Sequence, residues 1–317
     1  KRLNQAMKIK SSTLLACVLV LAPAMIMGQG YTLQSFVIGS GAVNGSSTNF
    51  KAQGTVGQSA IGTGTSTNFK GSWGFWYTLA GGGTSTGFVA DLEVLLEGAY
   101  ASAGVMNATL GSSLALSHPF GGPPWNYSGT ESVGAGFAAA HPDVVDWIFV
   151  QVRDTTPGPT SAPMSVAAER AGFVKTDGSV VDTNGADPLS FPTSSAGTYY
   201  VVVDHRNHIR AMTQNPPASL NDTLTYDFTD SVAKAYTTGP PAMKALAGGF
   251  AGLYAGDVNH DQQITVGDFN TWLTQTKASA TGYQDADFNI DAQVLASDFN
   301  LWLVNTKVSA TGQVPNP

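Results

Sequence analysis

The C-terminal part of the chain repeats itself with a period of 30 residues. Residues 257–282 align with residues 287–312, and 15 of the 26 aligned positions are identical. Each copy opens with the pattern Asp-x-Asn-x-Asp and continues with an Asp-Phe-Asn run and a Trp-Leu pair. An internal match of this length predicts two copies of one supersecondary unit that pack against each other.

Each copy has oxygen-bearing residues at the spacing of a calcium-binding loop. Calcium takes about six to eight oxygen ligands, and a loop of about twelve residues supplies them from positions 1, 3, 5, 7 and 12. We therefore predict two bound Ca²⁺ ions, with position 7 contributing its backbone carbonyl and the other positions their side chains. The predicted ligands are Asp257, Asn259, Asp261, Gln263 and Asp268 in the first loop, and Asp287, Asn289, Asp291, Gln293 and Asp298 in the second.

Position 6 of each loop departs from the usual pattern. Glycine normally stands there because the backbone turns sharply, whereas this chain has Gln262 and Ala292. We predict a left-handed backbone at both residues, at a cost on the order of 1–2 kcal/mol each. The expected affinity is accordingly that of extracellular calcium modules, about 10⁻⁴ to 10⁻³ M.

After position 12 the apolar residues follow helical spacing. Aromatic and leucine side chains recur at i, i+3 and i+4, which predicts one amphipathic helix after each loop, packed against its twin. These residues are Phe269, Trp272 and Leu273, then Phe299, Trp302 and Leu303. The β-branched residues at position 8, Ile264 and Val294, predict a short ladder between the two loops.

The tandem of loop and helix resembles a type I dockerin over residues 256–313. The resemblance implies a small α-helical, EF-hand-like domain that docks onto a cohesin-like partner and holds polysaccharide-degrading enzymes at a scaffold or cell surface. In that family, partner choice is commonly read at positions 10 and 11. Here these are Val266-Gly267 and Ala296-Ser297, so the first repeat lacks the usual hydroxyl pair. The alternative role is a cap on a neighbouring β-domain.

Residues 1–30 have the pattern of a secretory signal peptide. Lys8 and Lys10 precede the apolar run Leu14–Leu21, and small residues follow. Leu14-Leu15-Ala16-Cys17 also resembles a lipobox, which would leave a lipid on Cys17, but the apolar run continues past this cysteine and favours ordinary export. We expect a secreted or cell-surface protein. Cys17 is the only cysteine, so an exported chain without its leader depends on its core and on metal for stability.

Composition predicts a mainly β protein in several parts. Only 12% of residues are charged, 36 are glycine, and the net charge is −7 without a basic patch, which argues against nucleic acid as a partner. No later stretch is apolar enough to span a membrane. We predict a Gly/Ser/Thr-rich β-hairpin segment at 31–79, a linker at 80–87, an immunoglobulin-like β-sandwich at 88–250 and the dockerin-like module at 251–317. A low-complexity spacer is the alternative for residues 31–79.

The predicted sandwich contains one dense polar run, Asp204-His205-Arg206-Asn207-His208, directly after the strand predicted at 198–203. Asp204, His205 and His208 could ligate a transition metal. We favour a turn whose side chains fix the backbone, with Arg206 paired with an acid. Other predicted strands are 91–96, 146–153 and 224–228, with a hairpin at 173–181.

No nucleophile elbow, His-Glu-x-x-His motif or phosphate-cradling loop occurs in the chain, so we predict a non-enzymatic protein. Glu93 and Glu97 are better interpreted as outward positions of a strand than as a glycoside hydrolase pair. Four tryptophans could stack on sugar rings, with packing in the core or at a sheet edge as the alternative: Trp73, Trp76, Trp125 and Trp147. The alternatives are an adhesive assembly subunit, and a polysaccharide-active or carbohydrate-binding protein carried by a dockerin.

Overall fold

The computed structural model describes residues 41–47, 50–56, 62–66, 69–73, 87–156, 158–160 and 163–315. The predicted signal peptide, with Cys17, and most of the predicted linker lie outside these residues. The chain divides into two compact units, residues 1–84 and residues 85–317. The β-rich part at residues 88–250, called the body below, and the repeated module at residues 251–317 therefore belong to one unit.

The described part of the first unit is a four-stranded antiparallel meander. Its strands are β1 (Gly41–Ser47), β2 (Phe50–Val56), β3 (Gly62–Ser66) and β4 (Phe69–Trp73). Ser47 pairs with Phe50 at the end of the first hairpin, and Ser66 pairs with Phe69 at the end of another. The described strands thus form antiparallel hairpins within residues 31–79.

The described residues of the second unit form short and long strands and three α-helices. The strands are β5 (Phe88–Glu93), β6 (Tyr100–Ser102), β7 (Val105–Met106), β8 (Val144–Asp154), β9 (Val166–Lys175), β10 (Val180–Val181), β11 (Leu189–Phe191), β12 (Tyr199–His205), β13 (His208–Met212), β14 (Thr223–Asp227), β15 (Lys244–Ala245) and β16 (Ala251–Gly252). The helices are α1 (Phe137–Ala140), α2 (Val266–Lys277) and α3 (Ala296–Lys307).

Two sheets share the main hydrophobic core of this unit. One has the strand order β10-β9-β8-β12-β13 and the other β11-β5-β14, in which β5 and β14 run parallel. Val144–Asp154 is almost entirely buried, because Trp147, Phe149 and their neighbours contact core residues on both faces of the strand. The prediction of a mainly β protein is confirmed, and the arrangement is consistent with a β-sandwich.

The two predicted helices, α2 and α3, lie within the two repeats, and each begins two residues before position 12 of its loop. The body connects to them through the two-stranded ribbon of β15 and β16. Leu253, just after this ribbon, pairs with Leu96 of the body. Among the described residues, no helix combines the length and the apolar character needed to cross a membrane.

Candidate metal centre

The carboxylate at position 12 fixes the entry to each helix. Asp268 Oδ1 accepts from the amides of Val258 (2.9 Å) and Asn259 (3.2 Å), and Oδ2 accepts from the Thr265 amide at 2.8 Å. In the second copy, Asp298 accepts from the amides of Asn289 (3.0 Å) and Leu295 (2.8 Å). A carboxylate in the first turn also interacts favourably with the helix dipole. One side chain therefore joins the start of the loop to the start of the helix.

The carboxylate at position 1 accepts a hydrogen bond from the amide of position 6. Gln262 N donates to Asp257 Oδ2 at 3.0 Å, and Ala292 N donates to Asp287 Oδ2 at 2.9 Å. Gln262 has φ 64° and Ala292 has φ 66°, so the predicted left-handed conformation is confirmed at both residues. Asp257 Oδ1 is buried and has no hydrogen-bond partner, which leaves a carboxylate oxygen available to a cation.

Positions 3, 5 and 7 close the remainder of each loop. Asn259 Nδ2 donates to Asp261 Oδ2 at 2.9 Å, and the Gln263 amide donates to Asp261 Oδ1 at 2.8 Å. The second loop repeats this pattern, with distances of 2.8 and 2.9 Å among Asn289, Asp291 and Gln293. Asn289 Oδ1 is a second buried oxygen without a partner.

The four carboxylates at positions 1 and 12 are at most 1% exposed. Burial, and then Asp268, Asp204 and Asp261, raise the pKa of Asp257 to about 8. Burial also raises the pKa of Asp287 to about 7, although Arg206 opposes the shift. Anionic carboxylates at such depth need a compensating cation, because desolvation of an unpaired charge is costly. The electrostatics of the first loop therefore favour a bound cation, whereas Arg206 already supplies positive charge near Asp287 in the second loop.

The predicted ladder between the two loops was wrong. The Ile264 amide donates to Ala310 O at 3.4 Å, and the Val294 amide donates to Ala280 O at 3.2 Å. Gln263 forms an isolated β-bridge with Thr311, and Gln293 forms one with Thr281. Each loop thus pairs with the segment that follows the other copy's helix, which satisfies the amides that the ladder would have used.

The predicted ligands fit calcium by chemical type, since carboxylate, amide and carbonyl oxygens are hard donors. Among the described residues, no three His, Cys, Asp or Glu side chains are grouped so that they could hold a metal ion. The three aspartates of each loop therefore do not form such a group by themselves, and the asparagine and backbone oxygens would have to complete each set of ligands. The fit consequently depends on the unpartnered oxygen of Asp257 and on the burial of the carboxylates at positions 1 and 12.

The aromatic residues of the two helices form one cluster with approximate twofold repetition. Phe269 lies 5.2 Å from Trp302, and Phe299 lies 5.0 Å from Trp272, between ring centroids. The indole of Trp272 donates to Leu295 O at 2.9 Å, and that of Trp302 donates to Thr265 O at 2.8 Å. The prediction that the twin helices pack through these faces is confirmed.

The polar run 204–208 is a buried turn between β12 and β13. Arg206 Nε donates to Asp146 Oδ2 at 2.9 Å, and Tyr283 OH donates to Asp146 Oδ1 at 2.7 Å. The predicted pairing of Arg206 with an acid is confirmed. Asp146 and Tyr283 could not be recognised as partners of this turn from the sequence, because each is distant from the turn along the chain.

The two histidines of this turn form a chain of hydrogen bonds that assigns neutral tautomers. His208 Nδ1 lies 2.8 Å from Asn207 Oδ1 and 3.0 Å from His205 Nδ1, while His205 Nε2 lies 3.2 Å from Asp146 Oδ2. His208 Nε2 accepts from the Gly98 amide at 3.2 Å. Each ring therefore donates through one nitrogen and accepts through the other. These contacts occupy the nitrogens that the alternative transition-metal site would have used.

Both loops are attached to the body. Asn207 Nδ2 donates to the backbone oxygens of Asp285 (3.0 Å) and Asp287 (2.7 Å), and Arg206 donates to Gln284 O. At the first loop, the imidazole of His260 lies 4.0 Å from the indole of Trp125. The repeated module is consequently interlocked with the β-sheets through side chains of the body.

The remaining candidate residues have other surroundings. Trp147 is fully buried and donates to Ala115 O at 2.8 Å, so its ring serves packing rather than sugar stacking. Glu97 lies beyond the end of β5, is mostly buried and contacts Lys244 and Asn305, so its interpretation as an outward strand position was wrong. Burial, followed by three nearby aspartates, raises the pKa of Glu93. The side chains of Trp73 and Trp76 lie outside the described residues.

Comparison with known proteins gives little further identification. No protein-family model matches this chain, and no curated protein matches it. A solved C-terminal interface mutant of a type II cohesin–X–dockerin complex from Acetivibrio cellulolyticus is 13% identical, with a TM-score of 0.33, over 69% of this chain and 94% of that chain. An N-terminal interface mutant of that complex is 12% identical, with a TM-score of 0.29, over 69% and 92%. Similarity at this level carries no argument about function.

Proposed function

We propose that this protein is an exported, calcium-stabilised, non-enzymatic surface protein whose dockerin-like module, residues 256–313, docks a protein partner. The observation that carries the proposal is the pair of matched loops with buried carboxylates at positions 1 and 12, of which Asp257 has an oxygen without a hydrogen-bond partner. Two calcium ions would be held by the ten predicted oxygen ligands. The ions would supply positive charge where the protein has gathered negative charge.

Docking is supported by apolar side chains that the helices leave exposed. Val266 is 67% exposed and Val308 is 57% exposed, although both belong to the module that packs against the body. Because residues 263–264 pair with residues 310–311, both valines lie at the same end of the module, where contiguous apolar surface would suit a partner interface. The module would thus use one side to interlock with the body and keep another for a cohesin-like partner.

The docking proposal predicts calcium-dependent capture of a partner. Immobilised residues 85–317 are expected to retain a protein from an extract of the native cell surface in calcium, and to lose it in EGTA. The double variant with Val266→Asp and Val308→Asp should abolish capture, because binding would then bury two charged carboxylates in the interface. Leu220→Asp is the matched control, since Leu220 is 72% exposed on the body. Equal capture with and without calcium would contradict docking through this module.

Replacing alanine at position 6 of the second loop is predicted to strengthen calcium binding. Ala292 has a left-handed φ of 66°, which is strained for alanine but is adopted freely by glycine. Ala292→Gly should stabilise the calcium-bound protein by about 1 kcal/mol, after the added backbone entropy is included. Isothermal titration calorimetry and thermal unfolding in calcium measure the change.

The equivalent change at the first loop provides a contrast. Gln262 also has a left-handed backbone, but its side chain exchanges two hydrogen bonds with Val314, at 3.0 and 2.9 Å. Gln262→Gly would remove both, so no gain is expected. Equal stabilisation by the two glycine variants would show that these side-chain bonds contribute nothing.

A further inference from the structure

Three side chains from distant parts of the chain meet beside helix α3. Lys244 Nζ lies 2.8 Å from Asn305 Oδ1 and 3.1 Å from Glu97 Oε1. Asn305 Nδ2 donates to Glu97 Oε2 at 2.6 Å. The carboxylate therefore contacts the amine and the carboxamide at once, and the amine also contacts the carboxamide. None of these residues belongs to the predicted calcium loops or to the 204–208 turn.

The orientation of the Asn305 carboxamide is determined by its partners. Nδ2 donates to Ala255 O at 2.8 Å and also to Glu97. A charged lysine amine has only donors, so it must face an acceptor. Oδ1 must accordingly face Lys244. Because a carbonyl bond is about 1.2 Å long, the carbonyl carbon of Asn305 lies within about 4 Å of Nζ.

The cluster is largely shielded from water. Asn305 is fully buried, and the side chains of Glu97 and Lys244 are 9% and 21% exposed. The ring of Tyr254 lies 5.5 Å from Nζ. Positioning of this kind makes a reaction between two side chains effectively unimolecular. In well-oriented cases this lowers the activation free energy by about 7–11 kcal/mol.

We propose that Lys244 and Asn305 become joined by an intramolecular isopeptide bond, with Glu97 transferring the protons. Glu97 accepts a proton from the Lys244 ammonium, and the free amine attacks the side-chain carbonyl carbon of Asn305. The bond from that carbon to Nδ2 then breaks as Glu97 returns its proton to the departing nitrogen, and the ammonia that forms takes the second proton that the attacking nitrogen must lose. The net reaction converts an ammonium group and a carboxamide into a secondary amide and an ammonium ion. It needs no oxidant and no cofactor.

The bond would connect β15 to α3 and close residues 244–305 into one covalent ring. Both predicted calcium loops lie within this ring. Lys244 and Asn305 would thus provide a covalent constraint in a chain whose only cysteine is Cys17. The first repeat has Gln275 in place of Asn305, and Gln275 Oε1 accepts from the Ala286 amide at 3.0 Å instead.

Mass spectrometry of the purified full chain tests the proposal. The intact mass is expected to be lower than the sequence mass, after any leader cleavage, by one molecule of ammonia. Tryptic digestion should give a branched peptide that joins Lys244 to Asn305, without cleavage after Lys244. Glu97→Gln and Lys244→Arg should both restore the full mass, because one lacks the proton acceptor and the other the amine.

Lys234→Arg is the control, because the Lys234 amine pairs with Asp230 at 3.2 Å, away from the cluster, and this variant should keep the mass loss. A folded wild-type chain with the full mass, judged by its near-ultraviolet circular dichroism, would overturn the proposal. Mass loss that persists in Lys244→Arg would also overturn it, since Asn305 would then have formed a succinimide alone. None of these outcomes bears on calcium binding.

Discussion

Removal of calcium is expected to destabilise residues 85–317 as one cooperative unit, rather than to melt the C-terminal module alone. Asn207 and Arg206 of the body bind backbone oxygens at the start of the second loop, and Trp125 contacts His260 in the first. Calcium at about 100 times its dissociation constant contributes about 2.7 kcal/mol per site. Two sites would supply about 5 kcal/mol, comparable to the whole stability of many domains.

Thermal unfolding in calcium and in EGTA measures this effect. For a unit of this size, about 5 kcal/mol corresponds to a fall in Tm on the order of 10–20 °C. Far- and near-ultraviolet circular dichroism should report the same transition, because helices and sheets unfold together. Asp268→Ala or Asp298→Ala should each remove one site and reduce the response to EGTA by about half.

Two results would contradict this expectation. An unchanged Tm in EGTA would contradict the calcium proposal itself. A separate early transition seen only in helix content would instead show that the module melts independently, and that its contacts with the body contribute little. Excess magnesium added with EGTA is the control for ionic strength, since magnesium requires a smaller, near-octahedral site.

The repeated module was predictable from sequence because its determinants are local. Ligand spacing, helical periodicity and the left-handed position 6 all depend on residues within one copy of the repeat. Gln262 and Ala292 have the predicted positive φ, and α2 and α3 follow the loops. The ladder at Ile264 and Val294 was predicted wrongly because its partners are chosen by the tertiary packing of the two copies.

The contacts of the 204–208 turn could not be predicted in the same way. Its polar residues stand out in the sequence, but Asp146 and Tyr283 join them only after β8 and β12 pair and the module packs on the sheet. Glu97 likewise meets Lys244 and Asn305 through distant elements. The parallel pairing of β5 with β14 is another long-range choice that local patterns do not encode.

Arg206→Met is expected to be among the most destabilising single substitutions in this protein. Asp146 is fully buried and keeps its charge through Arg206, with further bonds from His205 and Tyr283. Removing one partner of a buried pair leaves the other charge uncompensated and costs about 3–5 kcal/mol. Arg170→Met is the matched control. Arg170 pairs with Asp182 at 2.9 Å but is 26% exposed, so about 1 kcal/mol or less is expected.

The pH dependence of stability gives a second, independent measurement. Burial alone would raise the pKa of Asp146, but Arg206 and then His205 overcome it and hold the pKa at about 2. The unfolded value is about 3.9, so this contribution is complete above pH 4 and is lost as the pH falls towards 2. Without Arg206, burial would raise this pKa in the variant, so the difference between wild type and Arg206→Met should begin to shrink above pH 4 and continue to shrink towards pH 2.

The buried histidines are expected to cause a separate loss of stability, which begins at a higher pH than the loss due to Asp146. Burial lowers the pKa of His205 and of His208, and neither ring has a free acceptor for a second proton. Because the unfolded chain binds these protons near pH 6.5, stability should decline as the pH falls below about 6.5. Urea denaturation of both proteins at pH 7.5, 5.5 and 3 distinguishes the two effects. A cost for Arg206→Met that is independent of pH would mean that the arginine acts through packing alone, without neutralising Asp146.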